Sequence, residues 1–241
     1  MRERTLAGHA PARIAGVLLF AAGFVIWMGI ITAEALYPEV YTTAGNEISD
    51  LGSTRQPDPV ILQPSAGIFD VTMIVTGAAI LVAAWFVHSA FARGWVSVPL
   101  GLLGLGVLGI GVFPGNVELI HPLFAMLAFV AGGIAAIAAR RVTPQPFRTI
   151  TVALGTIALG VLAGYALVGD VGAFAELGDG GVERWVAYPT VAWLMAFGGY
   201  LTATKSTVRH GRDERPGDAE PPLTEPPVPR REEAVMALNR R

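Results

Sequence analysis

The chain contains no cysteine. Disulfides, thiolate metal sites and a cysteine nucleophile are therefore excluded. Charge is scarce as well: Asp, Glu, Lys and Arg make up 15% of 241 residues, against about 25% in an ordinary soluble domain. Histidine occurs four times and never as a close pair, which removes the usual spacing of a zinc site. Lysine is nearly missing, since 16 of the 17 basic residues are Arg, a bias that reflects genome composition more than chemistry. No basic patch is interleaved with aromatics, so nucleic acid is not an expected partner. The net charge of −2 selects no other partner.

What fills the space is apolar. Hydrophobic residues make up 53% of the chain, and the mean hydropathy is +0.53. The few charges are clustered, leaving six runs free of Asp, Glu, Lys and Arg: 14–33, 71–92, 94–117, 119–139, 149–169 and 185–204, each at least 20 residues long. A helix needs roughly 20 such residues to cross a hydrocarbon core about 30 Å thick. The fold class expected is all-α, a polytopic membrane protein with a bundle of six transmembrane helices. The helices are placed at about Ile14–Leu36, Ala66–Ser89, Val96–Phe113, Leu119–Ala139, Thr149–Val168 and Trp185–Thr204. The first run exceeds the usual 7–15 residues of a cleaved signal and reads as a retained helix, although Ala33-Glu34-Ala35 imitates a cleavage site. Residues 1–205 form the membrane domain. Residues 206–241, with six prolines and mixed charge, read as a disordered cytoplasmic tail.

Orientation follows from Lys and Arg in the loops. An inside N-terminus leaves 15 of the 17 basic residues inside, eight of them in the tail, and only Arg55 and Arg184 outside. Both termini are thus expected on the cytoplasmic side of the plasma membrane. Small residues recur at helical spacing: Ser97, Gly101, Gly104 and Gly111 on the third helix; Ala125, Ala128, Gly132, Ala135 and Ala139 on the fourth; Thr156, Gly160 and Gly164 on the fifth. Such stripes let helix backbones approach closely in lipid. No internal repeat supports an inverted-repeat transporter.

This topology gathers the polar residues at the outer face. Glu34 ends the first helix, Asp70 lies in the second turn of the second, and Glu118 and His121 open the fourth, three residues apart. Glu183 and Arg184 precede the sixth helix. The stretch Asn46-Glu47-Ile48-Ser49-Asp50-Leu51-Gly52 joins them from the first outer loop. Ionisable groups at helix ends facing a bundle interior are functional candidates. The candidate ligand-binding set is Asn46, Ser49, Asp50, Asp70, Glu118, His121, Glu183 and Arg184.

Each member also has a structural reading. Asp50-Leu51-Gly52 makes a turn, with Asp closing on the backbone and Gly supplying positive φ. Glu118 follows a possible Asn116 cap and suits a helix N-terminus. His121 can bond a backbone carbonyl. Glu183-Arg184 forms an interfacial ion pair, or Arg184 turns inward to neutralise Asp70 or Glu34. An oxygen-rich cation site has no pattern here, and no metal or cofactor is expected. Ser49, Asp50 and His121 offer nucleophile, acid and base types, but no spacing aligns them.

The order Tyr37-Pro38, then Asn46 to Gly52, then Pro64-Ser65 with Ile68-Phe69-Asp70, Gly111-Val112-Phe113-Pro114, His121 and Glu183-Arg184 resembles the prokaryotic membrane family catalogued as domain of unknown function 998. These are six-helix proteins distantly similar to DRAM and Sfk-type membrane proteins. The resemblance spans about Ile14 to Thr204. It implies a six-helix bundle with an outer polar site and no established reaction; where family members often carry Asn, this chain has Asp70. The expected function is a multi-pass membrane protein whose outer pocket takes a lipid headgroup or small polar ligand, membrane lipids being its partners. Two alternatives stand beside it: a membrane-embedded hydrolase acting on lipid at the outer leaflet, and a non-catalytic scaffold subunit. Protein partners are not legible.

Overall fold

The computed structural model describes residues 2–92 and 94–203, with side chains from residue 10 onward. Arg93, the side chain of His9, and the tail from 204 with its expected disorder and His210 lie outside the described residues. Six helices follow in order: α1 (Arg2–Ala35), α2 (Ser65–Phe91), α3 (Gly94–Val112), α4 (Ile120–Ala138), α5 (Phe147–Val168) and α6 (Ala173–Ala203). Short 3₁₀ turns occupy Ile48–Leu51 and Ala139–Arg141, and no strand forms among the described residues.

Each helix packs on its sequence neighbours, and α6 returns to pack on α1. Every connection but the long one between α1 and α2 (36–64) is short, and with these neighbour contacts the six helices close into an up-and-down ring. Its centre is filled by Leu19, Phe69, Ile80, Leu100, Trp193, Leu194 and Phe197, all buried. Trp193 and Phe197 stack with ring centroids 5.3 Å apart. The outward faces are equally apolar: Phe20, Phe24 and Ile31 on α1, Val71, Val75 and Val82 on α2, and Leu102 and Leu105 on α3 are exposed. Helices hydrophobic all round belong in a membrane. Five spans, 10–35, 65–91, 94–112, 120–141 and 147–168, are long and apolar enough to cross one. The sixth helix has 31 residues, but its Tyr, Thr, Pro and Gly content lowers its apolar character, and much of it is buried against α1 and α5.

Several boundaries differ from the sequence reading. α1 begins at Arg2 rather than Ile14, because the Arg-rich start continues in helical conformation. α6 begins at Ala173, breaks at Gly178, and carries Glu183 and Arg184 within the helix. α4 begins at Ile120, so Glu118 sits in the preceding turn, and Leu119 rather than Asn116 is the N-cap residue. α2 begins at Ser65, one residue before Ala66; the Ser65 hydroxyl donates to Leu51 O at 3.2 Å and ties the first loop to α2.

The small-residue stripes also sort differently. Gly104 and Gly111 meet the α2 backbone, and Gly106 meets Ala128 of α4. On α5 the contact is made by Gly155 against Gly133 of α4. Thr156 and Gly160 face outward, and nothing lies within 4 Å of a Cβ built on Gly160.

Candidate functional site

The ends of α1, α3 and α5 and the starts of α2, α4 and α6 share one end of the ring, hereafter the loop end. The loop between α1 and α2 crosses it and is held down chiefly by Arg184. This guanidinium is buried. Its Nη1 donates to Thr43 O at 3.0 Å, Asn46 O at 2.9 Å and Gly180 O at 2.9 Å. Its Nη2 donates to Glu34 at 2.5 Å and to the Tyr41 hydroxyl at 2.8 Å. Tyr41 passes the chain on by donating to Glu47 O at 2.9 Å. Burial pushes the Tyr41 hydroxyl pKa above its ordinary value, so that proton stays in place. Arg184 thus neutralises Glu34 and not Asp70. A Cβ on Gly180 would strike the Asn46 carbonyl, and Gly180 N donates to Ala44 O at 3.0 Å. The loop backbone can lie on α6 only because no side chain intervenes.

Within the loop, Asp50 plays its turn role. Its carboxylate accepts from Glu47 N at 3.0 Å and from Asn46 Nδ2 at 3.4 Å, while Asn46 Oδ1 accepts from Thr42 N at 3.0 Å. Asn46 and Asp50 are thus spent on loop geometry. Gly52 does not supply positive φ; its φ is −83°. It is needed because a Cβ there would lie 2.6 Å from Asp70 Oδ1 and 2.9 Å from the Phe69 ring.

Ser49, His121 and Glu183 form a second group. Ser49 is 7% exposed and His121 3%. Ser49 Oγ donates to Glu47 at 3.3 Å, and Glu47 is paired with Arg55 at 2.5 Å. The Glu183 carboxylate accepts from Ile48 N, closing the loop onto α6. His121 Nδ1 lies 2.7 Å from Phe113 O; a carbonyl only accepts, so Nδ1 carries the proton and Nε2 is left as an acceptor. Ser49, Asp50 and His121 are not joined in a relay, since Asp50 serves the backbone and His121 serves Phe113.

Two cavities meet at this group. One, of ≈ 80 Å³, lies inside the ring between Ile26, Ile30, Phe69, Met73, Val107 and Leu194. The other, of ≈ 210 Å³, is a lateral cleft between α4, α5 and α6, floored by Ala125, Met126, Phe129, Leu162, Val182 and Val186. Its mouth carries Glu47, Ser49, Arg55, His121, Tyr165, Asp179 and Glu183. Ser49, His121, Ala125, Phe129 and Glu183 line both. An apolar trough with a polar mouth suits an amphiphile.

Asp70 and Glu118 stand apart. Asp70 Oδ1 is buried without a hydrogen-bond partner, above Gly52, and lines neither cavity. Glu118 is exposed. The sequence reading named Glu47 without giving it a role, and it missed Tyr41, Arg55, Tyr165, Asp179 and Thr190 as site or clasp residues. Glu47 stood inside the polar stretch, and Asp179 in the acidic segment that opens α6; these were the available signals.

Burial pushes the Glu183 carboxyl up to about 8, helped by the nearby Glu47 charge; Glu183 lies outside the five apolar spans. Burial likewise raises Glu47, with Arg55 opposing. A raised carboxyl favours the fold while protonated, so its contribution is complete below the ordinary Glu value of about 4.5 and is lost as pH rises through about 8. Thermal unfolding in detergent is expected to occur at a lower temperature at pH 9 than at pH 6. Glu183→Gln, which keeps the acceptor for Ile48 N, should flatten that difference; an unchanged pH dependence would contradict the assignment.

An all-α polytopic membrane bundle, its loop end clamped by a buried arginine and opened sideways by a polar-mouthed cleft, is the class that fold and site define. Residues 20–200 match the family model described as protein of unknown function DUF998. The chain belongs to that family. Among curated proteins and among solved structures, none matches.

Proposed function

We propose that this protein binds a membrane amphiphile, head at the loop end and chain in the lateral cleft. The observation that carries the reading is the shared wall of the two cavities, where Ser49, His121 and Glu183 are the polar members and Ala125 and Phe129 the apolar ones. Polar groups at the rim of a largely apolar trough fix a ligand's orientation while the trough supplies burial. The protein sits in the plasma membrane with both termini cytoplasmic and the loop end outside, which the distribution of Lys and Arg supports. The reading calls for no reaction: the Ser49 hydroxyl is held by Glu47, itself already paired with Arg55.

Ala125→Phe tests this reading by filling the space common to both cavities. Native mass spectrometry of the full chain in mild detergent should show bound lipid on the native protein and at least a fivefold loss on the variant, with unfolding temperature nearly unchanged. Equal lipid on both, with the variant folded, would overturn it.

A further inference from the structure

The charge of the cleft mouth goes beyond the reading just given, on which it rests. Three acidic side chains line the mouth, Glu47, Asp179 and Glu183, and of these Glu183 is the one that burial holds protonated near neutral pH. The one guanidinium there, Arg55, is already paired with Glu47 at 2.5 Å. Arg184 is adjacent in sequence but does not line the cleft; its Nη1 and Nη2 are turned to Glu34, Tyr41 and three backbone carbonyls, and its Nε is buried without a partner. His121 carries its Nδ1 proton toward Phe113 O and offers the cleft a lone pair. An anionic head would meet the Asp179 carboxylate with no unpaired cation among the described residues lining the cleft. A cationic head would meet the Asp179 carboxylate, the carboxyl oxygens of Glu47 and Glu183, and the ring of Tyr165, whose hydroxyl donates to Asp179 and whose face attracts ammonium groups.

A second observation comes from deeper in. Thr190 is 5% exposed, its Oγ1 has no partner, and it lines the central cavity together with Glu183. Seven residues separate them, two turns on one face of α6, or roughly 10 Å along the axis. A buried hydroxyl without a partner costs free energy that a ligand oxygen would recover. A purely hydrocarbon chain would leave it unpaired; a chain attached through an ester would bring a carbonyl to it. The distance suits an ammonium and an ester carbonyl on one extended molecule.

We infer that the cleft and the central cavity it adjoins together select an amphiphile with an ammonium head and an ester-linked chain: the ammonium sits at the cleft mouth beside the Asp179 carboxylate, with Glu47 and Glu183 around it, and the ester oxygen reaches across the shared wall to Thr190 in the central cavity. Glycerolipids with an amine-bearing head have this chemistry, and anionic glycerolipids lack its first half.

The test uses the full chain in nanodiscs holding equal phosphatidylethanolamine and phosphatidylglycerol, released and weighed by native mass spectrometry. Phosphatidylethanolamine is expected to be retained about fivefold over phosphatidylglycerol. Asp179→Asn with Glu183→Gln keeps both acceptors for Tyr165 and Ile48 and should bring that ratio close to one. Thr190→Val should reduce retention of the ester lipid more than that of an ether-linked analogue with the same head. Equal retention of both headgroups by the native protein, or preference for phosphatidylglycerol, overturns this inference and leaves the amphiphile reading standing. Retention of neither, with a folded protein, overturns both.

Discussion

Arg184→Ala should lower the unfolding temperature by roughly 6–20 °C, one of the two largest effects expected of any single substitution in this chain. The buried guanidinium serves five acceptors at once, Glu34, the Tyr41 hydroxyl and the carbonyls of Thr43, Asn46 and Gly180. Removing one partner of a buried ion pair costs roughly 3–5 kcal/mol, because the other charge is left uncompensated. For a chain of this size that corresponds to about 2–4 °C per kcal/mol. Arg184→Lys should recover only part, since an ammonium has three donors and no planar fork to reach carboxylate and backbone together. The variant Glu34→Gln with Arg184→Met should lose less than the sum of its single changes, as coupled partners do. Differential scanning fluorimetry in detergent reads the native chain, Arg184→Ala, Arg184→Lys, the double variant and its two single changes. An Arg184→Ala variant unfolding within 3 °C of the native chain would mean that the clasp does not hold the loop.

The consequence reaches the cleft. The stretch 46–50 supplies Glu47 and Ser49 to the mouth, and its place depends on Arg184 at Asn46 O and on Glu183 at Ile48 N. Arg184 is therefore a positioning residue for the site while lying outside it. Its loss should reduce bound lipid as well as stability, and Arg184→Lys should restore stability and lipid in parallel.

How much of this was legible beforehand can be argued element by element. Uncharged runs are produced by the hydrocarbon itself, so helix number and rough extent could be read from charge spacing alone. Helix starts were less legible. A polar segment such as Ala173–Arg184 reads as loop by composition, yet it is helical on both sides of the break at Gly178, and α6 extends beyond the apolar region to meet the loop on its way across. The convergence of Ser49, His121 and Glu183 followed from topology, since alternating helices must place these ends together. The division between clasp and cleft did not follow, because it depends on side-chain direction: Asn46 and Asp50 turn back on their own loop, and Asp70 turns toward Gly52. Thr190 gave no signal in sequence, as a threonine in an apolar helix usually bonds its own backbone.

Gly180→Ala should be nearly as damaging as Arg184→Ala, while Gly160→Ala should be harmless or mildly stabilising. Both glycines sit in helices, where alanine is intrinsically the better residue by about 1 kcal/mol. Propensity therefore predicts the same sign at the two positions, and only tertiary contact separates them. At Gly180 the added methyl would meet backbone, the carbonyls of Asn46 and Thr43, which Arg184 also binds. Backbone fixed from two sides does not yield as a flexible side chain does, so the loop must lift and the bond from Gly180 N to Ala44 O must break. At Gly160 nothing lies within 4 Å, and the methyl adds helix preference without a clash. The Gly180→Ala protein should unfold several degrees or more below the native value, and the Gly160→Ala protein at or slightly above it. A Gly180→Ala protein as stable as native would place the loop away from α6 and remove the lid from the cleft. A strongly destabilised Gly160→Ala protein would mean that the outward face of α5 is covered in the solubilised protein.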